Sequence, residues 1–296
     1  MTQTVSDGGV IDVRNVSYAY PGAQTQTLRD ISFSVSDGEI FGLLGPSGAG
    51  KSTLQRLLTR QIRHDGAGAI RVLGRAVTEW DQSLYEQVGV GFELPNHYLR
   101  LTGRENLAFF AKFYRSQTRA PEDVMALVGL SDALDKRVDD YSKGMKVRLN
   151  FARAILHDPK LLFLDEPTTG LDPTTAAQLK AAISDLRDQG KTIVLTTHNM
   201  HDADQLCDRV GFIATGELRA LDAPSALKEN HGEKSLDIVA QDGEAARFAL
   251  AGLGENEAFL AFIRNRAVKT IHSREASLEE VFRIVTGEHL TQGTLA

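Results

Sequence analysis

Cysteine is nearly absent: Cys207 stands alone among 296 residues. No intrachain disulfide can form, a cysteine-rich zinc site is excluded, and a reducing compartment fits. A basic excess is also missing. Lys and Arg number 33 against 39 Asp and Glu, for a formal net charge of -6, and a nucleic-acid footprint needs the opposite balance. Long hydrophobic runs are lacking as well. Stretches such as Ile40–Leu44 and Ala258–Ile263 fall far short of the roughly 20 residues that span a bilayer. The chain is therefore not expected to cross a membrane alone, though it can sit against something that does. Met1–Val10 has neither a basic n-region nor an apolar h-region, so no signal peptide is expected. What remains is ordinary globular composition, 42% hydrophobic and 24% charged, enough to bury a sizeable core. The length fits one large domain, or one domain with a small appendage.

Along the chain, Val10–Tyr20 alternates apolar and polar residues as an edge strand does, and Pro21-Gly22 turns it. Leu28–Val35 alternates again. Ile40–Leu44 is continuously apolar, the pattern of a strand buried on both faces. A glycine-rich stretch follows, then a helix expected over Lys51–Ile62. From about Asn106 to Leu156 the periodicity is helical, with almost no strand signal. Leu161–Leu164 and Thr192–Thr196 are further apolar strands, separated by a helix over Thr174–Gln189 that stops at Gly190. Ala203–Cys207 lies on a helix and Arg209–Ala214 is another strand. Strand–helix alternation around a helical insert gives an α/β fold with a helical subdomain at about 94–156. The texture changes near Gly232. Residues 232–296 are expected to form a small β-α-β-β-α accessory domain after a main domain over 1–231: strands at Ser235–Val239, Ala258–Ile263 and Ala267–Ile271, helices at Glu244–Leu253 and Ser277–Thr286.

Gly45-Pro46-Ser47-Gly48-Ala49-Gly50-Lys51-Ser52 fits G-x-x-x-x-G-K-[ST], after an apolar strand and before a helix, which is the context that motif requires. The glycines let successive backbone N–H groups turn toward phosphate oxygens, and the helix N-terminus adds partial positive charge. Lys51 can reach the β- and γ-phosphates and Ser52 can ligate Mg²⁺. Leu161–Leu164 ends in Asp165-Glu166. On its own that is an ordinary strand ending in charged residues. Beside the glycine-rich loop, Asp165 is placed to hold the metal and Glu166 to polarise an attacking water.

Taken together, these motifs resemble the nucleotide-binding subunits of ABC transporters, over roughly Ile11 to Gly232. Tyr141-Ser142-Lys143-Gly144-Met145 stands where that family has its L-S-G-G-Q signature, about 20 residues ahead of Asp165. Gly170-Leu171-Asp172 is similar to its D-loop, His198 to its switch histidine, and Tyr20 to its adenine-stacking aromatic. The resemblance implies a P-loop NTPase core of ABC type with ATP and Mg²⁺ as cofactors. It assigns Tyr20, Gly45, Pro46, Ser47, Gly48, Ala49, Gly50, Lys51, Ser52, Thr53, Ser142 and Gly144 to the nucleotide, Glu166 and His198 to catalysis, and Ser52, Glu93 and Asp165 to the metal. It further implies a head-to-tail pair with a second nucleotide-binding subunit (itself or a paralogue), ATP between one subunit's Lys51 loop and the other's signature, and separate transmembrane permease subunits at the cytoplasmic face of the membrane.

Two departures stand out. Glu93, in Val90-Gly91-Phe92-Glu93-Leu94-Pro95, occupies the place of the family's Gln, and it adds an anion beside the phosphates. The signature has Lys143 and Met145 in place of Gly and Gln, and Lys143 either contacts phosphate or is simply solvated. Alone, His198 reads as a satisfied polar residue at a strand end, and His201 three residues on makes a metal pair only on paper. The ending Ala276-Ser277-Leu278-Glu279-Glu280-Val281-Phe282 is similar to those of ABC ATPases serving drug or polysaccharide exporters, against a plain packing or dimerisation domain. A soluble ABC ATPase of translation or DNA repair would need a second cassette or long coiled-coil inserts, which this sequence lacks. A scaffold without turnover would not need Glu166 and His198. The expected function is ATP-driven transport, of export type, by a separate permease.

Overall fold

The structure, a computed structural model, describes residues 9–94 and 96–287. Pro95 of the Glu93 segment and residues 1–8 of the stretch inspected for a signal peptide lie outside the described residues. The chain divides into two compact units, Met1–Leu221 and Asp222–Ala296.

In the first unit, Ile11–Tyr18 (β1) pairs antiparallel with Leu28–Val35 (β2), placing Val13 opposite Phe33. Ile40–Leu44 (β3) leads into Lys51–Leu58 (α1), and Ala69–Val72 (β4) pairs with both β1 and the short Arg75–Ala76 (β5). Val88–Gly91 (β6) precedes a helical stretch of Gly103–Ala111 (α2), Pro121–Leu127 (α3) and Lys143–Ile155 (α4). The chain continues through Leu161–Asp165 (β7), Pro173–Asp188 (α5), Thr192–Thr197 (β8), Met200–Leu206 (α6), Arg209–Ala214 (β9) and Glu217–Asp222 (β10). One sheet has the order β2-β1-β4-β5 and the other β10-β9-β3-β8-β7-β6. Their facing residues share one core, in which Phe33 stacks on Phe41 at 5.2 Å and Leu54, Leu57 and Leu58 of α1 are fully buried.

Strand β1 is not an edge: β2 and β4 flank it, and its polar positions Arg14 and Asn15 are exposed between two hydrogen-bonded neighbours. Helix α1 stops short of Ile62. The Thr59 hydroxyl donates back to Gln55 O (2.8 Å), and Arg60 turns to φ +56°, the left-handed conformation that ends a helix. Strands β9, β3, β8, β7 and β6 run parallel, so their carboxyl ends lie along one rim. Ligand sites of open α/β sheets form outside such a rim.

The second unit holds Pro224–His231 (α7), Ser235–Ala240 (β11), Ala245–Ala249 (β12), Glu257–Asn265 (α8), Val268–Arg274 (β13) and Leu278–Thr286 (α9). Its antiparallel sheet has the order β12-β11-β13. Two expected elements exchange identity. Glu244–Leu253 holds a strand: Gly243 at φ +90° turns a hairpin, Ala246 and Phe248 point to the core, and Arg247 reaches across to Asp237. Ala258–Ile263 lies in a helix, because Asn256 caps it by accepting from Phe259 N (3.0 Å) and Phe259, Phe262 and Ile263 share the core-facing stripe. The division between units precedes Gly232 because α7 packs on α9 within the second unit.

Candidate functional site

Four adjacent strands, β3, β8, β7 and β6, each deliver site residues at the carboxyl end. After β3 the backbone must turn back on itself. Gly45 adopts φ +158°, where a Cβ would lie 2.0 Å from Ile213 O, and Gly50 adopts φ +110°, where a Cβ would lie 2.7 Å from Leu28 Cδ2. Neither position admits a side chain. Lys51 folds back over this loop, its ammonium donating to Gly45 O (2.7 Å) and Pro46 O (3.0 Å). Burial lowers its pKa, while Glu166, Asp165 and Glu93 oppose that shift.

Asp165 closes β7. One carboxylate oxygen accepts from Thr196 Oγ1 and the other from Ser52 Oγ at 3.5 Å. Its pKa is raised, first by burial and then by the neighbouring charge of Glu166, against Thr196, Lys51 and Ser52. Glu166 is buried and holds φ +49°, unusual for a non-glycine residue. Four donors surround its carboxylate: His198 N (3.0 Å) and the His198 imidazole Nδ1–H (2.7 Å) on one oxygen, Thr197 Oγ1 (3.0 Å) and Thr169 Oγ1 (3.0 Å) on the other.

One cavity of about 400 Å³ gathers Ser47, Gly48, Gly50, Lys51, Ser52, Thr53, Glu93, Asp165, Glu166 and His198, and adds Thr27. The hydroxyl of Ser52 and the carboxylates of Asp165 and Glu93 all line this cavity; oxygen donors are the kind a hard divalent cation takes, while no group of three or more His, Cys, Asp or Glu among the described residues is arranged to hold a metal. Tyr20 does not line this cavity; its hydroxyl is hydrogen-bonded to Thr53 Oγ1 at 3.1 Å. Gly45, Pro46 and Ala49 shape the loop from behind: the first two supply the carbonyls under Lys51, and Ala49 is in the core. Ser142 and Gly144 are not brought to it. Ser142 caps α4, its Oγ accepting from Met145 N (3.2 Å), and Gly144 faces Leu171 Cδ2. His201 accepts from Gln205 at 3.0 Å. Sequence reading passed over Thr27, Thr169 and Thr197. Thr197 alone left a signal, a hydroxyl at the end of an apolar strand next to His198.

Across Glu93 lies a second cavity of about 540 Å³ between β6 and the helical stretch, lined among others by Phe92, Asn96, His97, Tyr98, Phe110 and Arg153. Arg153 donates to Asn96 O (2.9 Å) and Asn150 Oδ1 (2.8 Å), and its guanidinium lies 4.7 Å from the Phe110 ring centroid. Burial pushes His97 down to about 4 and so keeps it neutral. Phe113, 66% exposed, packs against Phe110 of this lining.

The model of the ABC transporter family matches residues 28–169, and that of the fluoroquinolone efflux ABC transporter C-terminal domain matches residues 239–275. The fluoroquinolones export ATP-binding protein of Mycobacterium tuberculosis is 50% identical over 286 residues, 95% of each chain. The linearmycin resistance ATP-binding protein of Bacillus subtilis is 34% identical over 278 residues, covering 91% of this chain and 85% of that one. Among solved structures, an ATP-binding subunit of an ABC transporter superposes with a TM-score of 0.66 at 27% identity, over 74% of this chain and 92% of that one.

Proposed function

Since the chain belongs to the ABC transporter family, as an ATP-binding and ATP-hydrolysing subunit, we propose that it powers export of fluoroquinolone-like drugs by a separate membrane permease. The observation that carries this reading is the single cavity on which Lys51, Ser52, Glu93, Asp165, Glu166 and His198 converge. Support for the cargo class comes from the relative that shares 95% of the chain's length and from the matched C-terminal domain. No helix among the described residues is long and apolar enough to cross a membrane, so the reading places the chain peripherally at the cytoplasmic face, its groove at Phe92 and Arg153 receiving the permease.

In this reading, ATP enters with its phosphates on the Gly45–Thr53 loop and its adenine against Tyr20. Lys51 exchanges the carbonyls of Gly45 and Pro46 for β- and γ-phosphate oxygens. Ser52, Asp165 and Glu93 would hold Mg²⁺, which when bound neutralises charge on the phosphates. Glu166 takes the proton of the attacking water, and His198 orients the γ-phosphate. Ser142 and Gly144 serve the nucleotide of a second subunit, head to tail, because they stand away from their own chain's cavity. Glu93 joins the two halves of the device: it lines the phosphate cavity while its neighbour Phe92 lines the groove.

Inverted membrane vesicles carrying the chain and its permease test the proposal. ATP should drive accumulation of a fluoroquinolone, and Glu166→Gln should abolish it. Equal accumulation with wild type and Glu166→Gln would overturn the export reading.

A further inference from the structure

The signature turn and the loop after Glu166 fit into one another at two glycines. Gly170 adopts φ +78°, and a Cβ there would lie 2.9 Å from both Cε and Nζ of Lys143. The tip of the lysine thus fills the space a side chain would need. Reciprocally, a Cβ on Gly144 would come within 3.3 Å of Leu171 Cδ2. Lys143 is exposed at the first position of α4, whose opening turn has no acidic residue. Among the described residues no carboxylate pairs with its ammonium. A cation there stands against the positive end of the helix's own dipole, a placement that helix stability alone does not favour.

The loop that Lys143 covers is the loop that holds Glu166. Thr169, immediately before Gly170, donates its hydroxyl to Glu166 Oε2 (3.0 Å) and its backbone N–H to Glu166 O (3.2 Å). A carboxylate offers about four acceptor positions, and all four are taken here. Water reaching this carboxylate competes with those donors, the Thr169 hydroxyl among them. Thr197 and His198 belong to the end of β8, whereas Thr169 rides on the covered loop.

Resting on the head-to-tail reading above, we propose that Lys143 is a positioning residue that latches this loop. Its stem across Gly170 keeps Thr169 on Glu166 and the base silent. When a second subunit presents its bound triphosphate to the signature turn, the ammonium swings from Gly170 to a phosphate oxygen, the loop is freed, and Glu166 becomes available to water. ATP turnover is thereby tied to the arrival of the second subunit.

Stem and charge have separate tasks, so two variants of this exposed residue separate them. Lys143→Met keeps an unbranched stem over Gly170 but cannot be drawn away; Lys143→Ala removes stem and charge together. In steady-state ATPase assays of the full chain, Lys143→Met should lower kcat about tenfold, the scale of one charge-assisted hydrogen bond, with KM unchanged. Lys143→Ala should keep kcat well above that of Lys143→Met. The latch requires Lys143→Met to be slower than both wild type and Lys143→Ala, and any other order overturns it. A wild-type chain that did not turn over ATP would overturn the latch together with the reading beneath it, which tells the two failures apart.

Discussion

Asp165 shows what the site costs the fold. Its carboxylate is partly buried at the end of β7 with Glu166 beside it, and burial followed by that neighbouring charge raises its pKa. A carboxylate whose folded pKa is raised holds its proton more tightly when folded. Its contribution to stability is fully present below the ordinary carboxylate range and is lost as pH rises through the raised value. Above that value the ionised group costs stability, and the proposed bound cation would return it. Asp165→Asn is expected to raise the melting temperature of the chain in chelator by about 2–4 °C, a gain that narrows as pH falls toward the range where both side chains are neutral. The same change should abolish Mg²⁺-dependent turnover. Thermal melts at neutral and mildly acidic pH check the sign, and a lower midpoint for Asp165→Asn at neutral pH would show that Asp165 is stabilising.

Elements were legible where one local rule decided them. Ile40–Leu44, Leu161–Asp165 and Thr192–Thr197 are apolar runs too short for helices and bounded by turns, and each is a buried parallel strand. The turn after Ile40–Leu44 was readable because the motif spells out the backbone: glycine at 45 and 50 stands where no Cβ fits. The second unit resisted for physical reasons. Ala258–Ile263 is apolar at every position, so periodicity does not distinguish strand from helix, and the deciding cap, Asn256, lies outside the run. Glu244–Leu253 has good helix formers, yet pairing with β11 overrides them. Proteolysis can read the consequence for α7. Phe282 of α9 is fully buried, and Phe282→Ala should destabilise the second unit by about 3–5 kcal/mol. Because α7 packs on α9, limited digestion of that variant should leave a stable fragment ending near Leu221. A fragment ending near Gly232 would mean that α7 belongs with the first unit.

At the scale of the whole molecule, the residues proposed to hold nucleotide fall in two places that one chain does not bring together. The loop, Asp165, Glu166 and His198 share a cavity, while Ser142 and Gly144 open α4 elsewhere, at a helix N-terminus that Ser142 caps. In the proposed head-to-tail pairing, a second copy or a paralogue completes either half, with the triphosphate as the shared ligand. Association should therefore follow ATP occupancy and end with hydrolysis. Glu166→Gln removes the proposed general base, and turnover should fall at least about a hundredfold, with ATP binding at the Lys51 loop expected to remain. The variant should elute as a dimer with ATP and as a monomer without it. Lys51→Ala removes the charge that meets the phosphates and should remain monomeric at the same ATP concentration. If Glu166→Gln stays monomeric with ATP bound, the pairing of this chain with itself is wrong; the same measurement after mixing with a paralogous subunit then identifies the partner, because the proposed pairing sets the start of α4 against another chain's phosphate loop.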